Sequence, residues 1–229
     1  MKLSARLQQI ATLISRKTAI LDVGCDHGYL SQYLLSFPEC QTVIASDISQ
    51  KCLDKVHSTD SHLQKRMGNG LDVISKQDNI QTIIIAGMGG RTIAKILDGK
   101  TFDADLIVSP QSHSHLVRQK LLDKNYQIVV DFYIQDSGKY YTIIKAVHKD
   151  SPIWSDTVSL NSIPPDSNRM IRIDCLPTKN QLQYGIYFPQ DTILKQYLQK
   201  KLLTLQNIDN VQTNQKQLQI KDILNLFQV

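Results

Sequence analysis

The 229-residue chain has no uninterrupted apolar run close to the roughly 20 residues that a membrane-spanning helix needs. Its first six residues lead into an amphipathic pattern, where a secretory signal would have an apolar core. The four cysteines form no C-x-x-C pair and no dense framework, which is typical of a reducing compartment. These absences predict a cytoplasmic protein with no membrane partner.

Blocks of like charge are also absent. The 26 Lys and Arg residues exceed the 21 Asp and Glu residues by a net charge of +5, and the surplus is spread along the chain. Residues 1–150 hold 18 bases and 15 acids, and the remainder holds 8 and 6. Such a balance is compatible with a polyanionic partner or simply with a soluble surface. Charge alone therefore leaves the partner open.

Apolar runs alternate with amphipathic stretches over the first two thirds of the chain, whose overall composition is that of a globular protein. Strands are expected at Ala19–Val23, Thr42–Ser46, Ile80–Ala86 and Asp105–Ser109. Helices are expected at Gly28–Leu35, Ser49–His57, Arg91–Leu97 and His115–Lys124, after an amphipathic first helix capped by Ser4. Two further strands near Tyr126–Tyr133 and Lys139–Val147 have no helix between them. The pattern predicts an α/β fold with a doubly wound, mostly parallel sheet and an antiparallel edge.

The remaining third has a different composition. Five of the seven prolines fall within residues 150–190, which favours a linker (151–190) with short extended pieces. Residues 191–229 lack glycine and proline, and leucines recur there at helical spacing with a break near Asn207–Asn210. A C-terminal helical hairpin is predicted. It could serve as a packing element or dimer arm, or as a second surface for a large substrate, and a monomer is favoured.

The stretch Asp22-Val23-Gly24-Cys25-Asp26-His27-Gly28 joins the first strand to the first helix of the sheet. Ligands of doubly wound sheets bind at such carboxyl ends. A dinucleotide site would carry G-x-G-x-x-G, but Asp26 occupies the second glycine position. A carboxylate about 4 Å from a pyrophosphate charge costs on the order of 1–4 kcal/mol. The same carboxylate suits the ammonium and sulfonium groups of S-adenosylmethionine, and the alternative is a glycine turn without a ligand.

Two later loops extend this candidate site. Asp47 ends the second strand, where an acid can accept both hydroxyls of a ribose. Asn69, between two glycines, would end a third strand that precedes Ile80–Ala86, and it could bond an adenine edge or simply form an Asn-Gly turn. The run Ala86-Gly87-Met88-Gly89-Gly90 ends the fourth strand and offers a floor for a planar base, or a tight turn. His113 and His115 lack further ligands at suitable spacing, so no metal site is predicted.

The motifs resemble those of the bacterial tRNA (adenine-22-N1)-methyltransferases. The resemblance rests on Leu3–Leu7, Asp22–Leu30, Gly68–Leu71, Ala86–Gly90 and Gly138–Tyr141, and resumes near Tyr184-Gly185. It implies a class I Rossmann-like methyltransferase domain (1–150) followed by a helical, coiled-coil-like domain (191–229) that binds tRNA. It also implies S-adenosylmethionine as cofactor and tRNA as substrate. Two positions depart from the family pattern: Asn69 stands where Asp is frequent, and Gln111 where Asn is.

Site roles follow from the loops and the resemblance together. Asp26, His27 and Tyr29 are the catalytic candidates: Asp26 would stabilise positive charge on the methylated base or hold the donor, and the two rings would position the base. The cofactor-binding candidates are Asp22, Gly24, Cys25, Gly28, Asp47, Ile48, Asn69, Gly70, Ala86, Gly87 and Met88. The substrate-binding candidates are Arg6, Gly89, Gly90, Pro110 and Gln111. Candidate phosphate contacts are Arg6, Arg91, Lys95, Arg169, Arg172, Lys195, Lys200 and Lys201.

Three other functions are compatible with parts of the pattern. A methyltransferase for a small molecule or a protein would share the donor loop. A non-enzymatic RNA-binding module would keep the fold without turnover. A dehydrogenase is disfavoured by Asp26 and by the missing G-x-G-x-x-G.

Overall fold

A computed structural model of the chain describes residues 3–15, 17–99, 102–148, 178–185, 192–206, 208 and 210–226. Seven strands form one sheet in the order β3-β2-β1-β4-β5-β7-β6. The strands are β1 (Ala19–Val23), β2 (Thr42–Asp47), β3 (Leu63–Met67), β4 (Thr82–Ala86), β5 (Asp105–Ser109), β6 (Tyr126–Asp136) and β7 (Lys139–His148). The helices are α1 (Ala5–Thr12), α2 (Tyr29–Leu34), α3 (Gln50–Asp54), α4 (Gly90–Leu97), α5 (Ser114–Asp123), α6 (Lys179–Tyr184), α7 (Thr192–Leu205) and α8 (Val211–Leu226).

The first five strands are parallel, and their registers align the carboxyl ends at one edge. Ala19 pairs with Thr42, and Thr82 pairs with Asp105. Every residue of β1 and β5 is buried, which explains their continuous apolar runs. The predicted doubly wound fold is confirmed, and the shared edge brings together the loops after β1, β2, β3 and β4.

The antiparallel pair β6–β7 completes the sheet. Leu106 of β5 pairs with Ala146, and Val108 pairs with Ile144. Because β7 runs opposite to β5, the turn between Asp136 and Lys139 lies beyond the carboxyl end of β5. Strand β6 continues to Asp136, three residues further than its apolar pattern predicted, because the end of the hairpin is partly exposed and needs no apolar alternation. The hairpin therefore overhangs the edge where the site is expected.

Helices cover both faces of the sheet. One core cluster joins α1 and α2 to Ile20, Ile84 and Ile107, and the other joins α4 and α5 to Leu21 and Ile83. The predicted cap of α1 is present, since the N–H of Leu7 donates to Ser4 Oγ at 3.4 Å. Alternate residues of the central strands thus pack to opposite layers, as a doubly wound sheet requires.

Two helices are shorter than predicted. Helix α2 begins at Tyr29, one residue after Gly28, which takes a left-handed conformation at the cap. Helix α3 ends at Asp54 although the pattern extended to His57. The reason is packing: Val56 is fully buried and lies against Gly28, so the chain turns inward after α3. Close contact between these two turns holds the loop after β1.

The C-terminal helices dock on the outer part of the sheet. Tyr133 of β6 and Tyr184 of α6 form a buried cluster with Leu194, Leu198, Ile220 and Ile223 of α7 and α8. Helix α6 falls inside the stretch predicted as linker, a difference explained by a capping box in which Thr178 and Gln181 exchange hydrogen bonds. The other residues of that stretch, 151–177 and 186–190, lie outside the described residues. Across the described ranges, no helix is long and apolar enough to cross a membrane.

Candidate active site

A cleft of about 740 Å³ opens at the carboxyl edge of the sheet. Its size falls within the usual range of small-molecule sites, about 300–1,000 Å³. Six of the predicted cofactor residues line it: Gly24, Asp47, Ile48, Asn69, Gly70 and Met88. Ten residues that were not predicted to bind the cofactor also line it: Val23, Ser46, Gly68, Leu71, Asp72, Arg91, Thr92, Lys95, Ile96 and Gly99. The sheet edge therefore assembles four separate loops and one helix around a single cavity.

Gly24 starts the loop at the end of β1 and cannot be replaced without distortion. Its φ is +72°, and a Cβ there would lie 2.1 Å from Met88 Cε. The N–H groups of Gly24 and Cys25 both donate to the carbonyl of Ser46, at 2.8 and 3.0 Å. These bonds hold the loop against the end of β2, while the Met88 side chain covers Gly24 from the β4 side. A ligand in the cleft would meet the backbone here.

Asp47 stands on the cleft wall at the end of β2. Its Oδ1 accepts the N–H of Ser49 at 2.9 Å, and its own carbonyl accepts the N–H of Gly68 at 3.0 Å. A carboxylate has about four acceptor positions, so this single contact orients Asp47 and leaves capacity for hydroxyl donors. The neighbouring Ile48 is 73% exposed and adds an apolar surface at the rim.

Asn69 and Gly70, which follow the neighbouring strand β3, also line the cleft. Gly70 has φ +57°, and a Cβ there would come within 3.0 Å of Ile96 Cγ2, so helix α4 packs closely on this turn. Asn69 is exposed and precedes a short 3₁₀ helix (Gly70–Val73), but its side chain makes no capping bond. Its amide is thus available to a ligand in the cleft.

Asp22 is buried beneath the loop. It accepts a hydrogen bond from Ser31 Oγ at 2.6 Å, which ties β1 to α2. Burial, with a smaller contribution from the charge of Asp47, raises the pKa of Asp22 to about 6. Cys25 is also buried, against Ala45 and Leu53, and burial raises the pKa of its thiol to about 12. Both residues were predicted to bind the cofactor, but the structure places their side chains behind the cleft.

Asp26 projects from the tip of the same loop with φ +49° and a side chain that is 62% exposed. Its Oδ2 lies 2.9 Å from His27 Nδ1, and its Oδ1 lies 3.4 Å from Lys55 Nζ. The hydrogen bond from His27 is the main cause that lowers the pKa of Asp26, so the group is ionised at neutral pH. An ionised carboxylate only accepts, so Nδ1 of His27 carries the proton in this pair.

The His27 ring stacks on Tyr29, with centroids 5.4 Å apart and planes 10° apart. Tyr29 is 51% exposed, so the pair presents an aromatic surface beside the loop. Gly28 separates the two residues in the sequence, and a Cβ there would approach Val56 Cγ1 to 2.6 Å. The three predicted catalytic residues are therefore adjacent and mutually held, at the loop tip outside the cleft lining.

The loops after β4 and β5 are bonded to each other. The N–H of Gln111 donates to the Met88 carbonyl at 2.9 Å, and that of Gly90 donates to the Ser112 carbonyl at 2.8 Å. A Cβ on Gly90 would lie 2.4 Å from that carbonyl oxygen, so Gly90 permits close packing of the two loops. By contrast, Gly87 has φ +83° with open space around it.

The substrate candidates around these loops differ in exposure. Pro110 is buried, whereas Gln111 is exposed and Gly89 is half-buried. Ala86, predicted to bind the cofactor, ends β4 and is half-buried. The structure gives Gly90 and Pro110 packing roles and leaves Gln111 accessible beside Met88.

Arg6 lies on the overhanging hairpin. Its guanidinium carbon is 4.7 Å from the centre of the Tyr141 ring, and its backbone N–H donates to Asp136 Oδ2 at 3.2 Å. The Arg6 side chain is thus near the carboxyl edge but is not part of the cleft lining. Among the other candidate phosphate contacts, Arg91 and Lys95 line the cleft, and Lys200 lies 5.7 Å from the Tyr140 ring. Arg169 and Arg172 fall outside the described residues.

Several site residues were not foreseen. Lys55, which bonds Asp26, follows α3 and carries no motif that would single it out. Thr92 and Ile96 line the cleft together because they are one helical turn apart on α4, a spacing visible in the sequence. Within the part of the chain that the structure describes, no group of three or more His, Cys, Asp and Glu side chains could hold a metal ion.

The sheet order, the glycine loop with its acid after β1 and the acid ending β2 define a class I S-adenosylmethionine-dependent methyltransferase. Residues 3–144 match the family described as "Methyltransferase domain". The sequence is 34% identical over 172 residues to the tRNA (adenine(22)-N(1))-methyltransferase of Bacillus subtilis (strain 168), covering 71% of this chain and 72% of that one. The chain belongs to the tRNA (adenine-22-N1)-methyltransferase family.

Solved structures agree over nearly the whole chain. The B. subtilis tRNA methyltransferase TrmK superposes with a TM-score of 0.71 at 26% identity, covering 99% of this chain and 97% of that one. M. capricolum TrmK, solved with S-adenosyl-homocysteine, gives a TM-score of 0.75 at 25% identity, covering 100% of this chain and 97% of that one. The similarity therefore includes the C-terminal part of the chain as well as the methyltransferase domain.

Proposed function

We infer that this chain methylates N1 of an adenosine in tRNA, at position 22, with S-adenosylmethionine as methyl donor. The observation that carries the inference is the cleft between the Gly24 loop and Asp47, in a chain that belongs to this family. The M. capricolum neighbour, solved with the cofactor product S-adenosyl-homocysteine, supports the choice of cofactor.

The residues around the cleft fit the donor. Asp47 would accept the two ribose hydroxyls, with Ile48 and Asn69 against the adenine. The backbone of Gly24, which lines the cleft, would meet the amino-acid part of the donor. The negative charge of Asp26 is favourable for the positive groups of this donor and unfavourable for a pyrophosphate. When bound, the donor supplies an electrophilic methyl group on a positively charged sulfur. Gly87, with open space around it, would border the methyl group.

The loop tip is proposed to hold the acceptor base. The N1 lone pair of adenine is already free to attack, so no general base is needed. Positive charge develops on the ring, and the ionised Asp26 would stabilise that charge more in the transition state than before it. His27 and Tyr29 already form a planar stack on which the base could lie. Asp26 also orients His27, so the same carboxylate would stabilise the positive charge and hold the ring that positions the base.

N1 lies on the Watson–Crick edge, so the target adenosine must leave its pair and its stack. That step costs a few kcal/mol, which contacts elsewhere on the tRNA must supply. Arg91 and Lys95 on the cleft rim and Lys200 of α7 are proposed to contribute phosphate contacts. The division into a catalytic part (1–150), a connecting part (151–190) and a tRNA-binding hairpin (191–229) is proposed on the same ground.

Methyl transfer can be tested with labelled donor and two tRNA transcripts that differ only at position 22. The transcript with adenosine 22 should accept about one methyl group per molecule, and the transcript with guanosine 22 should accept none. Equal labelling of both would contradict the proposed position. Labelling of neither transcript, together with methylation of a protein or small-molecule fraction, would contradict the substrate class.

A further inference from the structure

A fully buried ion pair lies where the C-terminal helices meet the sheet. Arg118 of α5 and Asp131 of β6 both have 0% side-chain exposure. Arg118 Nε donates to Asp131 Oδ2 at 2.8 Å, and Nη2 donates to Oδ1 at 3.0 Å. This bidentate geometry is the strongest that a guanidinium and a carboxylate can form. Burial by itself would lower the pKa of Arg118, but attraction to Asp131 outweighs it, so the charge is retained.

The third nitrogen of Arg118 connects two other segments. Nη1 donates to Ser114 Oγ at 3.0 Å and to the carbonyl oxygens of Leu182 and Gln183 at 2.9 and 3.5 Å. Those carbonyls belong to the last turn of α6. Gly185 then closes α6 over the ion pair, because a Cβ there would lie 3.7 Å from Arg118 Nη2. One side chain thus bonds α5, β6 and α6.

Ser114 leads directly to the active-site loops. It is the first residue of α5 and follows the segment 110–113. Within that segment, the N–H of Gln111 donates to Met88, and the Ser112 carbonyl accepts from Gly90. Hydrogen bonds therefore connect α6 to Ser114 through Arg118, the backbone of residues 110–113 continues from Ser114, and two further hydrogen bonds join that segment to the loop that carries Met88.

Stability alone does not account for this arrangement. Replacing a buried ion pair by apolar side chains of similar volume is frequently neutral or stabilising, whereas a bidentate pair imposes one geometry. Arg118 also donates to the Leu182 carbonyl in the last turn of α6 and to the Ser114 hydroxyl at the start of α5. An apolar pair could make neither hydrogen bond.

We propose that Arg118 is a positioning residue that makes the conformation of the acceptor-side loop, residues 110–113, depend on the docking of α6. The proposal rests on the proposed function. Its consequence is that residues 110–113 have the active conformation when the C-terminal helices, which would hold the tRNA, are docked. Arg118 itself neither lines the cleft nor belongs to the stacked His27 and Tyr29 rings on which the base is proposed to lie.

Ser114→Ala tests the link most gently, because it removes one hydrogen bond and leaves the ion pair and the α6 contacts in place. We expect kcat for tRNA methylation to fall about five- to tenfold, the effect of losing one hydrogen bond. The dissociation constant of S-adenosylmethionine should stay near the wild-type value, and the melting temperature should fall by only about 2–4 °C, the shift expected for about 1 kcal/mol in a chain of this size. Ser36→Ala is the matched control, since Ser36 Oγ makes one bond, to the Tyr33 carbonyl, far from the loop. An unchanged kcat in Ser114→Ala would overturn the proposal.

Hydrogen exchange gives a readout that does not need activity. In Ser114→Ala, and more strongly in Arg118→Lys, the amides of Gly90 and Gln111 should exchange faster, while amides of β1 should not change. Exchange equal to wild type at both positions would overturn the proposal even if turnover fell. If Arg118→Lys does not fold, Ser114→Ala decides alone. A wild-type protein that fails to methylate tRNA would contradict the proposed function, and the exchange measurement would still test the link.

Discussion

Asp22 and Asp26 are four residues apart, yet their surroundings give the two carboxyl groups opposite tendencies. Asp22 is buried and its pKa is raised to about 6, whereas Asp26 is exposed, bonded by His27, and its pKa is lowered. The residue at the strand end is therefore partly protonated in mild acid, and the residue at the loop tip keeps its charge. The loop separates a buried structural acid from the acid that is proposed to act on the acceptor base.

The buried acid predicts a pH dependence of stability. A folded-state pKa above the ordinary value of 3.8 means that the contribution of Asp22 is fully present below about pH 4 and is lost as the pH rises through 6. The shift corresponds to about 3 kcal/mol. Asp22→Asn, which keeps an acceptor for Ser31, should therefore gain stability relative to wild type between pH 4 and pH 7. Parallel curves of unfolding free energy against pH, from urea titrations, would contradict this.

Removal of the charge at the loop tip should affect turnover. Asp26→Asn keeps a side chain that tolerates a positive φ, so the fold should be preserved. We expect kcat to fall by about 10² or more, as when one electrostatic contact to the transition state is lost. Single-turnover kinetics and a thermal melt measure the two effects. Near-normal turnover would remove Asp26 from the mechanism.

Asp47 should matter for donor binding instead. Asp47→Ala removes the acceptor for the ribose hydroxyls. Each hydrogen bond to a charged group contributes about 1.5–3 kcal/mol. Calorimetry should show a loss of S-adenosylmethionine affinity of tenfold or more. Asp54→Ala is the control, since Asp54 is exposed on α3 and bonds Gln50 outside the cleft. Similar affinities for the two variants would exclude the ribose role.

At the scale of elements, the sequence predicted the parts whose burial leaves a pattern. Strands β1, β4 and β5 are apolar because both of their faces are covered. Strand β3 could not be delimited, because as an exposed edge it carries Gln64, Lys65 and Arg66. Helix α6 was missed although its capping box is visible in the sequence, because six residues give too little periodicity.

The residues of the candidate site also fall into two groups, those that a sequence motif identifies and those that only tertiary packing brings together. Glycines and acids at strand ends were identifiable, since the fold class places strand ends together. The pairing of Arg118 with Asp131 was not, because it joins a helix to a strand through tertiary packing, and neither residue belongs to a recognisable motif. Nor could the sequence show that Cys25 faces the core while Gly24 faces the cleft.

Helix α7 connects the C-terminal region to the hairpin of β6 and β7. Tyr197 of α7 stacks on Tyr133 at 5.4 Å, and Lys200 lies over Tyr140 near the carboxyl edge. Lys200 is therefore suited to a phosphate contact, and Lys195 of the same helix is the second α7 candidate. The double substitution Lys195→Gln with Lys200→Gln should weaken tRNA binding several-fold in a filter-binding assay and leave donor affinity unchanged.

Lys76→Gln provides the control for that pair. Lys76 lies in a short 3₁₀ helix (Lys76–Asp78) before β4 and does not line the cleft. Its substitution should leave tRNA affinity at the wild-type value. Equal losses in the control and the double variant would indicate a general charge effect and would contradict a specific role for α7.

In the whole molecule, the small surplus of basic residues is spread over both the methyltransferase domain and the C-terminal helices, as are the candidate tRNA contacts. The surplus of +5 has no single basic tail, and the candidate contacts stand on α4 at the cleft and on α7 at the hairpin. An enzyme that extracts one base from a folded tRNA must recover the free energy of unstacking from contacts elsewhere on the tRNA. The distribution agrees with a substrate that spans the sheet edge from the cleft to the C-terminal helices.

The chemical identity of the product tests the central claim most directly. Unmodified tRNA is incubated with the protein and S-adenosylmethionine, digested to nucleosides and analysed by chromatography and mass spectrometry, and reverse transcription locates the modified base. The account predicts N1-methyladenosine and a reverse-transcription stop at position 22, because the methylated edge cannot pair. N6-methyladenosine, another methylated nucleoside, or a stop at a different position would contradict it.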